Sequence, residues 1–220
     1  MPRAGVMAKP PHSNAFFIDG AAGRLEALLE TPDDAAVRGC ALVCHPHPQH
    51  GGSLHNKVVH TLARAFQHRH MRTLRFNFRG VGSSDGEFDN AHGELDDAVT
   101  ALAYLRAHWP DDPLWVAGFS FGAAVAIRVA LREQVAGLVS VAPAVRRFAG
   151  DVGTLPACPW LVVHGGADEV VSVDETIAWL NELPPGPELE VFPDTGHFFH
   201  GKLVELRQAV EHFIAAQSGE

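Results

Sequence analysis

The stretch V-A-G-F-S-F-G-A-A-V, residues 116–125, decides the fold because it joins a strand pattern to a helix pattern through one serine. The run before Ser120 is apolar and β-branched, which predicts a buried strand over 114–117, and the run after it predicts a helix over 121–132. A glycine stands two residues before and two residues after the serine, which indicates a turn so sharp that Cβ atoms would clash. A serine on such a turn points outward and is available for chemistry.

Composition and charge limit the classes of protein to consider. A chain of 220 residues with 46% hydrophobic content can fold as one α/β domain with a substantial core. A net charge of −9 and the absence of any basic run argue against nucleic acid as a partner. The sequence has no apolar segment long enough to span a membrane and no apolar core of a secretory signal near its start. We therefore expect a soluble, cytoplasmic protein with no membrane partner.

The three cysteines fit a reducing compartment. An odd number without a spaced framework predicts buried thiols rather than disulfides. Cys44, at the end of a predicted strand, is the one alternative as a nucleophilic thiol, although no glycine-flanked turn surrounds it.

Strand-like and helix-like runs alternate along the chain. After an N-terminal hairpin at about 15–30, strands are predicted at 40–44, 73–78, 114–117, 137–141, 160–164 and 188–192, and helices at 56–70, 94–108, 121–132, 174–183 and 203–215. Such alternation predicts a three-layer α/β/α sandwich around a mostly parallel, doubly wound sheet. We expect one domain over 1–220, with its catalytic core at about 39–217.

Polar, glycine-rich clusters follow the predicted strands. They are H-P-H-P-Q-H-G-G (45–52), R-G-V-G-S-S-D-G (79–86), G-F-S-F-G (118–122), H-G-G-A-D-E-V-V (164–171) and P-D-T-G-H-F-F-H (193–200). Ligands of parallel sheets bind outside the carboxyl ends of the strands, so these clusters are expected to meet at one site.

The chain resembles the α/β-hydrolases in three of these clusters. G-F-S-F-G is similar to their nucleophile elbow, and Asp168 and His197 follow in the order Ser, acid, His that is typical of the family. The resemblance extends from about residue 39 to the C-terminus. It implies a Ser120-His197-Asp168 triad, with no cofactor and no metal.

The proposed triad matches what the chemistry requires. A serine hydroxyl needs a base to take its proton, and an imidazole suits that role at neutral pH. A carboxylate on the other ring nitrogen fixes the tautomer and stabilises the imidazolium. Neighbouring residues are alternatives: Glu169 and Asp194 for the acid, and His200 for the base.

A tetrahedral intermediate also needs hydrogen-bond donors for its oxyanion. The resemblance implies the Phe121 N–H as the first donor, because it lies at the start of the helix after Ser120. In H-P-H-P the prolines have no N–H, which leaves the His47 amide as the second. The segment is similar to the H-G-x-P loop of the family, with proline in place of glycine.

Two rival interpretations involve the same loops. Histidines 45, 47, 50 and 55 include an H-x-H spacing that occurs among zinc ligands, but no spaced carboxylate accompanies it. R-G-V-G-S-S-D-G is one residue too long for a dinucleotide fingerprint and resembles instead the R-G-x-G-x-S turn of hydrolases. We expect it to shape a wall of the site, with Ser83, Ser84 and Asp85 as turn residues.

Only residues 142–159 lie between the predicted strands at 137–141 and 160–164, too few for the helical cap of many α/β-hydrolases. The sequence therefore predicts an open site. Phe198 and Phe199 are expected to contact substrate, and Phe119 is expected to belong to the core.

The predicted function is a carboxylesterase that acts on small, accessible ester or acyl substrates through an acyl-enzyme. A thioesterase or an acyl-peptide hydrolase would use the same residues, and a non-catalytic binding protein on a hydrolase fold is the alternative of another class.

Overall fold

The computed structural model describes residues 13–32, 36–149, 154–184 and 186–218. Its strands are β1 (Ser13–Gly20), β2 (Gly23–Glu30), β3 (Gly39–Cys44), β4 (Met71–Phe76), β5 (Leu114–Phe119), β6 (Gly137–Val141), β7 (Trp160–Gly165) and β8 (Glu188–Phe192). Its helices are α1 (Lys57–His68), α2 (Gly93–His108), α3 (Phe121–Arg132), α4 (Val145–Phe148), α5 (Val173–Asn181) and α6 (Leu203–Ser218), with a 3₁₀ turn at Pro48–His50.

The described strands form one eight-stranded sheet in the order β1-β2-β4-β3-β5-β6-β7-β8. The hairpin β1-β2 joins β4 in antiparallel fashion, and β3 to β8 run parallel. The α/β class and the mostly parallel sheet are confirmed. Because β3 to β8 are parallel, their carboxyl ends lie at the same edge of the sheet.

Strand β4 lies two residues earlier than the predicted 73–78. Its pairing with β3 begins at Met71, opposite Gly39. Beyond Phe76 the backbone bonds elsewhere, because Asn77 donates to the Glu26 carbonyl at 2.8 Å and Phe78 donates to the His45 ring at 3.0 Å. Residues 77 and 78 therefore leave the β3 ladder and contact strand β2 and the loop after β3 instead.

Two apolar clusters lie on opposite faces of the sheet, as the doubly wound pattern predicts. Helices α2, α3 and α5 bury alanine, leucine and Trp179 side chains on one face. Helices α1 and α6 bury Phe66, Leu206 and Phe213 on the other. The near-continuous apolar burial of β3, β5, β6 and β7 follows from this coverage on both sides.

The loop R-G-V-G-S-S-D-G (79–86) is hydrogen-bonded to the N-terminal hairpin, and none of its residues lines the cavity that contains Ser120. The Ser84 hydroxyl accepts from Glu26 N–H at 2.9 Å and donates to the Asn77 carbonyl at 2.8 Å, and the Asp85 carboxylate accepts from Arg24 N–H at 2.8 Å. The expectation that this loop shapes a wall of the site is therefore corrected.

Arg79, the first residue of that loop, forms a buried ion pair with Asp97 of α2. Its Nη2 and Nε lie 2.7 and 3.0 Å from the two carboxylate oxygens, and its backbone N–H donates to the same carboxylate at 3.0 Å. The Asp97 side chain has no exposed surface and that of Arg79 only 11%. The pair ties the loop after β4 to the face of the sheet that α2 covers.

Replacement of Asp97 by alanine is expected to lower the free energy of unfolding by about 3–5 kcal/mol, because it leaves a buried guanidinium without a counter-charge. Asp96→Ala is the matched control, since its side chain is 62% exposed and lies 4.0 Å from Arg132. We expect the control to change stability by no more than about 0.5 kcal/mol. Urea unfolding of both variants checks this, and equal losses would contradict a special role for the pair.

Candidate active site

Ser120 occupies a strained turn between β5 and α3. Its φ of 56° and ψ of −115° lie in a region that costs a non-glycine residue about 1–3 kcal/mol. The turn holds because Ser120 N–H donates to the Val141 carbonyl at 2.8 Å. A Cβ on Gly118 would overlap the carbonyl oxygen of Gly122, and a Cβ on Gly122 would overlap that of His45. The sharp turn predicted from the glycine spacing is confirmed.

The structure brings Ser120, His197 and Asp168 together at the carboxyl edge of the sheet. The Nε2 of His197 lies 3.1 Å from Ser120 Oγ, and its Nδ1 lies 2.7 Å from Asp168 Oδ2. Ser120 is 7% exposed and His197 3% exposed, so both side chains are largely shielded from solvent, and Ser120 also borders a cleft. This arrangement would let the ring accept the hydroxyl proton while the carboxylate holds its other nitrogen.

The environment of Asp168 keeps its carboxylate ionised. Burial alone would raise its pKa, but hydrogen bonds from His164, His197 and the Val171 N–H lower that pKa well below its usual range. Its Oδ1 accepts from both Val170 and Val171 N–H at 2.8 Å, so one carboxylate oxygen faces the backbone and the other faces His197. The orientation of the side chain is thereby fixed.

A cleft with a volume of about 330 Å³ opens beside Ser120. Its walls come from the 3₁₀ turn, from α4, and from the segment that runs from Asp168 into α5. The residues that line it include His47, Phe121, Arg147, Phe148, Glu169 and Thr176.

Comparison with known proteins identifies the family of this chain. A crystal structure described as an α/β serine hydrolase without a lid, from Xanthomonas campestris, is 44% identical, has a TM-score of 0.89, and matches 94% of this chain and 96% of that one. An α-β serine hydrolase homologue from Coxiella burnetii is 41% identical, with a TM-score of 0.89 and coverage of 93% and 99%. The chain belongs to the α/β-hydrolase superfamily.

A family model and a relative from another organism also match the chain. The family model described as "Serine aminopeptidase, S33" matches residues 47–154 of this α/β-hydrolase. An uncharacterized protein of Rickettsia prowazekii is 31% identical over 211 residues, which cover 90% of this chain and 87% of that protein.

The connection between β6 and β7 fits a lidless hydrolase. Strand β6 ends at Val141 and β7 begins at Trp160, and the described part of the connection carries only the four-residue helix α4.

Among the described residues, no helix is both long and apolar enough to cross a membrane.

His164 is a buried neighbour of the acid that the sequence interpretation missed. Its side chain has no exposed surface, and its Nε2 lies 2.9 Å from the Val171 carbonyl and 3.4 Å from Asp168 Oδ2. The ring thus braces the turn that carries Asp168. The available signal was its place near the end of β7, four residues before the acid, but a buried strand histidine has no pattern of its own.

The alternative acids and base lie outside the hydrogen-bonded group. Glu169, Asp194 and His200 are exposed. Within the described chain none of them bonds to Ser120 or His197, although Glu169 borders the cleft. The geometry therefore favours Asp168 and His197 over these neighbours.

His47 and Phe121 both border the cleft beside Ser120, with their rings 5.2 Å apart. Phe121 is the first residue of α3, and the His47 carbonyl accepts from Gly52 N–H at 3.0 Å, which shapes the turn. Neither amide N–H donates to another described residue. Burial, then His50, then Arg147 lower the pKa of the His47 ring, so a neutral ring is favoured there.

The loop histidines do not form a shared metal site among the described residues. His45 is fully buried, and both ring nitrogens are engaged: Nδ1 donates to the Pro46 carbonyl at 2.6 Å and Nε2 accepts from Phe78 N–H at 3.0 Å. Burial lowers its pKa to about 4. His47 and His50 stack at 4.4 Å, and His55 is exposed. His45 therefore joins two loops of the hydrolase rather than presenting a ligand.

The cysteines are free thiols, as predicted. Cys44 has no exposed surface, and burial raises its pKa, so it is not a candidate nucleophile.

The two phenylalanines after His197 have different surroundings. Phe198 is 43% exposed, and its ring lies 5.1 Å from that of His197, so it is accessible beside that histidine. Phe199 has no exposed surface and packs against Phe192 at 5.8 Å. The expectation that Phe199 contacts substrate is therefore corrected: it belongs to the core, as does Phe119.

Proposed function

We propose that this α/β-hydrolase is a serine esterase that cleaves carboxylic esters of small, accessible substrates through an acyl-enzyme on Ser120. The observation that supports this best is the continuous hydrogen-bonded path from Ser120 Oγ through both nitrogens of His197 to Asp168, with distances of 3.1 and 2.7 Å. The modest cleft volume of about 330 Å³ favours small substrates.

The first half of the reaction forms the acyl-enzyme. His197 Nε2 takes the hydroxyl proton as Ser120 Oγ attacks the ester carbonyl, and Asp168 stabilises the imidazolium. The N–H groups of Phe121 and His47 would stabilise the oxyanion, and the unpaired amides and dipole of α3 favour negative charge at that point. His197 then gives its proton to the departing alkoxide, which leaves as the alcohol.

The second half releases the acid. A water molecule loses a proton to His197 and attacks the acyl carbonyl, and the proton returns to Ser120 Oγ as the acid leaves. The same ring therefore acts first as base and then as acid in each half. Its shielded position, 3% exposed between Phe119 and Phe198, limits competition from bulk water for its nitrogens.

Labelling with a fluorophosphonate tests the proposal on the wild-type protein. We expect one covalent adduct, located by mass spectrometry on the peptide that contains Ser120, and matching loss of p-nitrophenyl acetate hydrolysis. A chelator should leave both rates unchanged. A protein that neither labels nor turns over ester would instead support the non-catalytic binding protein on the same fold.

A second assay separates the hydrolases that share this machinery. Oxygen esters, thioesters and N-acyl peptides with the same acyl group are compared by kcat/KM. We expect the oxygen ester of a short acid to be preferred, and a large preference for the thioester or for the peptide would replace the esterase proposal by the corresponding alternative.

A further inference from the structure

The short helix α4 is held close to the nucleophile. Ala144, the residue before it, donates its N–H to the Ser120 carbonyl at 3.2 Å. Phe148, the last residue of α4, packs its ring 4.9 Å from Phe121 and 5.4 Å from His47. Both ends of the helix are therefore fixed relative to the serine, and the side chains between them form one wall of the cleft.

That wall carries two adjacent arginines, Arg146 and Arg147. Both are exposed and border the cleft, and neither forms an ion pair or hydrogen bond with another described residue. Other arginines of the chain do have carboxylate partners, as Arg75 does with Glu30 at 2.7 Å. The pKa of the His47 ring is lowered first by burial, then by His50 and then by the positive charge of Arg147, so Arg147 acts electrostatically on a residue of the cleft.

The opposite wall has the other sign of charge. Glu169 and Glu175 border the cleft from the segment after β7 and from α5. A substrate anion would therefore be drawn toward α4 and away from α5. The guanidinium fork suits a carboxylate or phosphate group, because it can donate two parallel hydrogen bonds to either.

We propose that the ester substrate carries an anionic group and that Arg147, supported by Arg146, binds that group at the α4 wall. This inference rests on the proposed esterase function, because it places the anion relative to an acyl group on Ser120. Arg147 lies three residues after Ala144, whose N–H donates to the Ser120 carbonyl. We therefore expect a short linker between the anionic group and the scissile carbonyl of the substrate.

The test uses two esters that differ in charge but hardly in shape. Mono-4-nitrophenyl succinate is anionic, and its methyl ester is the neutral match. Each rate is measured after subtraction of the enzyme-free rate, because the succinate carboxylate attacks its own ester carbonyl and releases nitrophenolate as the cyclic anhydride forms. We expect the wild type to prefer the anionic ester, and Arg147→Gln to lower the ratio of the two kcat/KM values by about 5- to 10-fold, mainly through KM. Added salt should lower the same ratio, because the arginine is exposed.

Arg132→Gln is the control, since it removes the same charge from an exposed site on α3, close to Asp96, and outside the residues that border the cleft. It should leave the ratio unchanged. The 4-nitrophenyl ester of 3-phosphonopropionate replaces the succinate in a second comparison. Whichever anion gives the larger ratio of kcat/KM over its neutral match identifies the site as one for a phosphate-type group or for a carboxylate.

Two failures are distinguishable. Equal hydrolysis of both esters, or an anion preference that survives in Arg147→Gln, would overturn the anion site while the esterase function stands. Absence of hydrolysis and of fluorophosphonate labelling would instead overturn the esterase proposal on which the site depends.

Discussion

Ser120→Ala is expected to lower kcat for a short-chain ester by about 10⁴- to 10⁶-fold, the range over which removal of a catalytic serine typically falls. The reason lies in the geometry, because no other described hydroxyl hydrogen-bonds to His197. The alanine also removes the atom that a fluorophosphonate would modify. Steady-state kinetics and mass spectrometry on the same preparation measure both losses.

A double variant makes this prediction sharper. If Ser120 and His197 act as one unit, Ser120→Ala combined with His197→Ala should be no slower than Ser120→Ala alone. Ser83→Ala and His200→Gln serve as controls, since both residues are exposed and neither bonds to the triad. Additive losses in the double variant would mean that the two residues act independently.

The same measurements also test the rival mechanism, in which a metal ion bound by the loop histidines activates water. Activity that survives Ser120→Ala but disappears with a chelator would assign the chemistry to the histidines of the loop after β3. The position of His45 argues against that result, because both of its ring nitrogens are already engaged.

The elbow and the strand-end clusters could be predicted because their signals are local. Glycines at 118 and 122 are needed for a close approach of backbones, and the alternation of apolar runs specifies a parallel sheet whose carboxyl ends meet. Asp168 lies 48 positions after Ser120, and His197 lies 29 positions after Asp168. A parallel sheet places the strand ends that carry all three at one edge, so their meeting requires no further signal in the sequence.

Other features depend on tertiary contacts that leave no periodic signal. Helix α4 has four residues, too few for a pattern, and it is fixed by a hydrogen bond to Ser120 and by packing on Phe121. The error at Phe199 has a backbone cause: its φ of 52° is left-handed, which is rare for a bulky residue. The chain turns there, so that two adjacent phenylalanines have opposite environments.

Buried polar contacts were the least predictable. Arg79 and Asp97 are 18 residues apart, and in the sequence each resembles an ordinary surface charge. His164 is part of an apolar strand in the sequence, although its ring contacts the turn that carries Asp168.

Asp168→Asn is expected to lower kcat by about 10⁴-fold at neutral pH while it preserves the fold, because the asparagine should select the wrong tautomer of His197. The Oδ1 of Asp168 accepts two backbone N–H groups, from Val170 and Val171, at 2.8 Å each. An asparagine at this position must place its carbonyl oxygen at the site of Oδ1, because a backbone N–H can only donate and therefore requires an acceptor. Its NH₂ group then faces His197.

The imidazole can adapt where the backbone cannot. With an NH₂ group at the position of Oδ2, Nδ1 of His197 becomes the acceptor and the ring proton moves to Nε2. That nitrogen lies 3.1 Å from Ser120 Oγ, and when protonated it cannot take the hydroxyl proton. Nitrogen-15 NMR of the labelled ring should show the change from the Nδ1–H to the Nε2–H form, together with slower fluorophosphonate labelling.

Two controls separate this mechanism from a general loss of charge. Asp194→Asn and Glu169→Gln each remove one nearby negative charge without touching the ring, and both should stay within about tenfold of the wild-type kcat. If Glu169→Gln instead caused the larger loss, the acid of the triad would be Glu169. If Asp168→Asn were slow but kept the Nδ1–H tautomer, Asp168 would act through its charge rather than through the orientation that its two backbone hydrogen bonds impose.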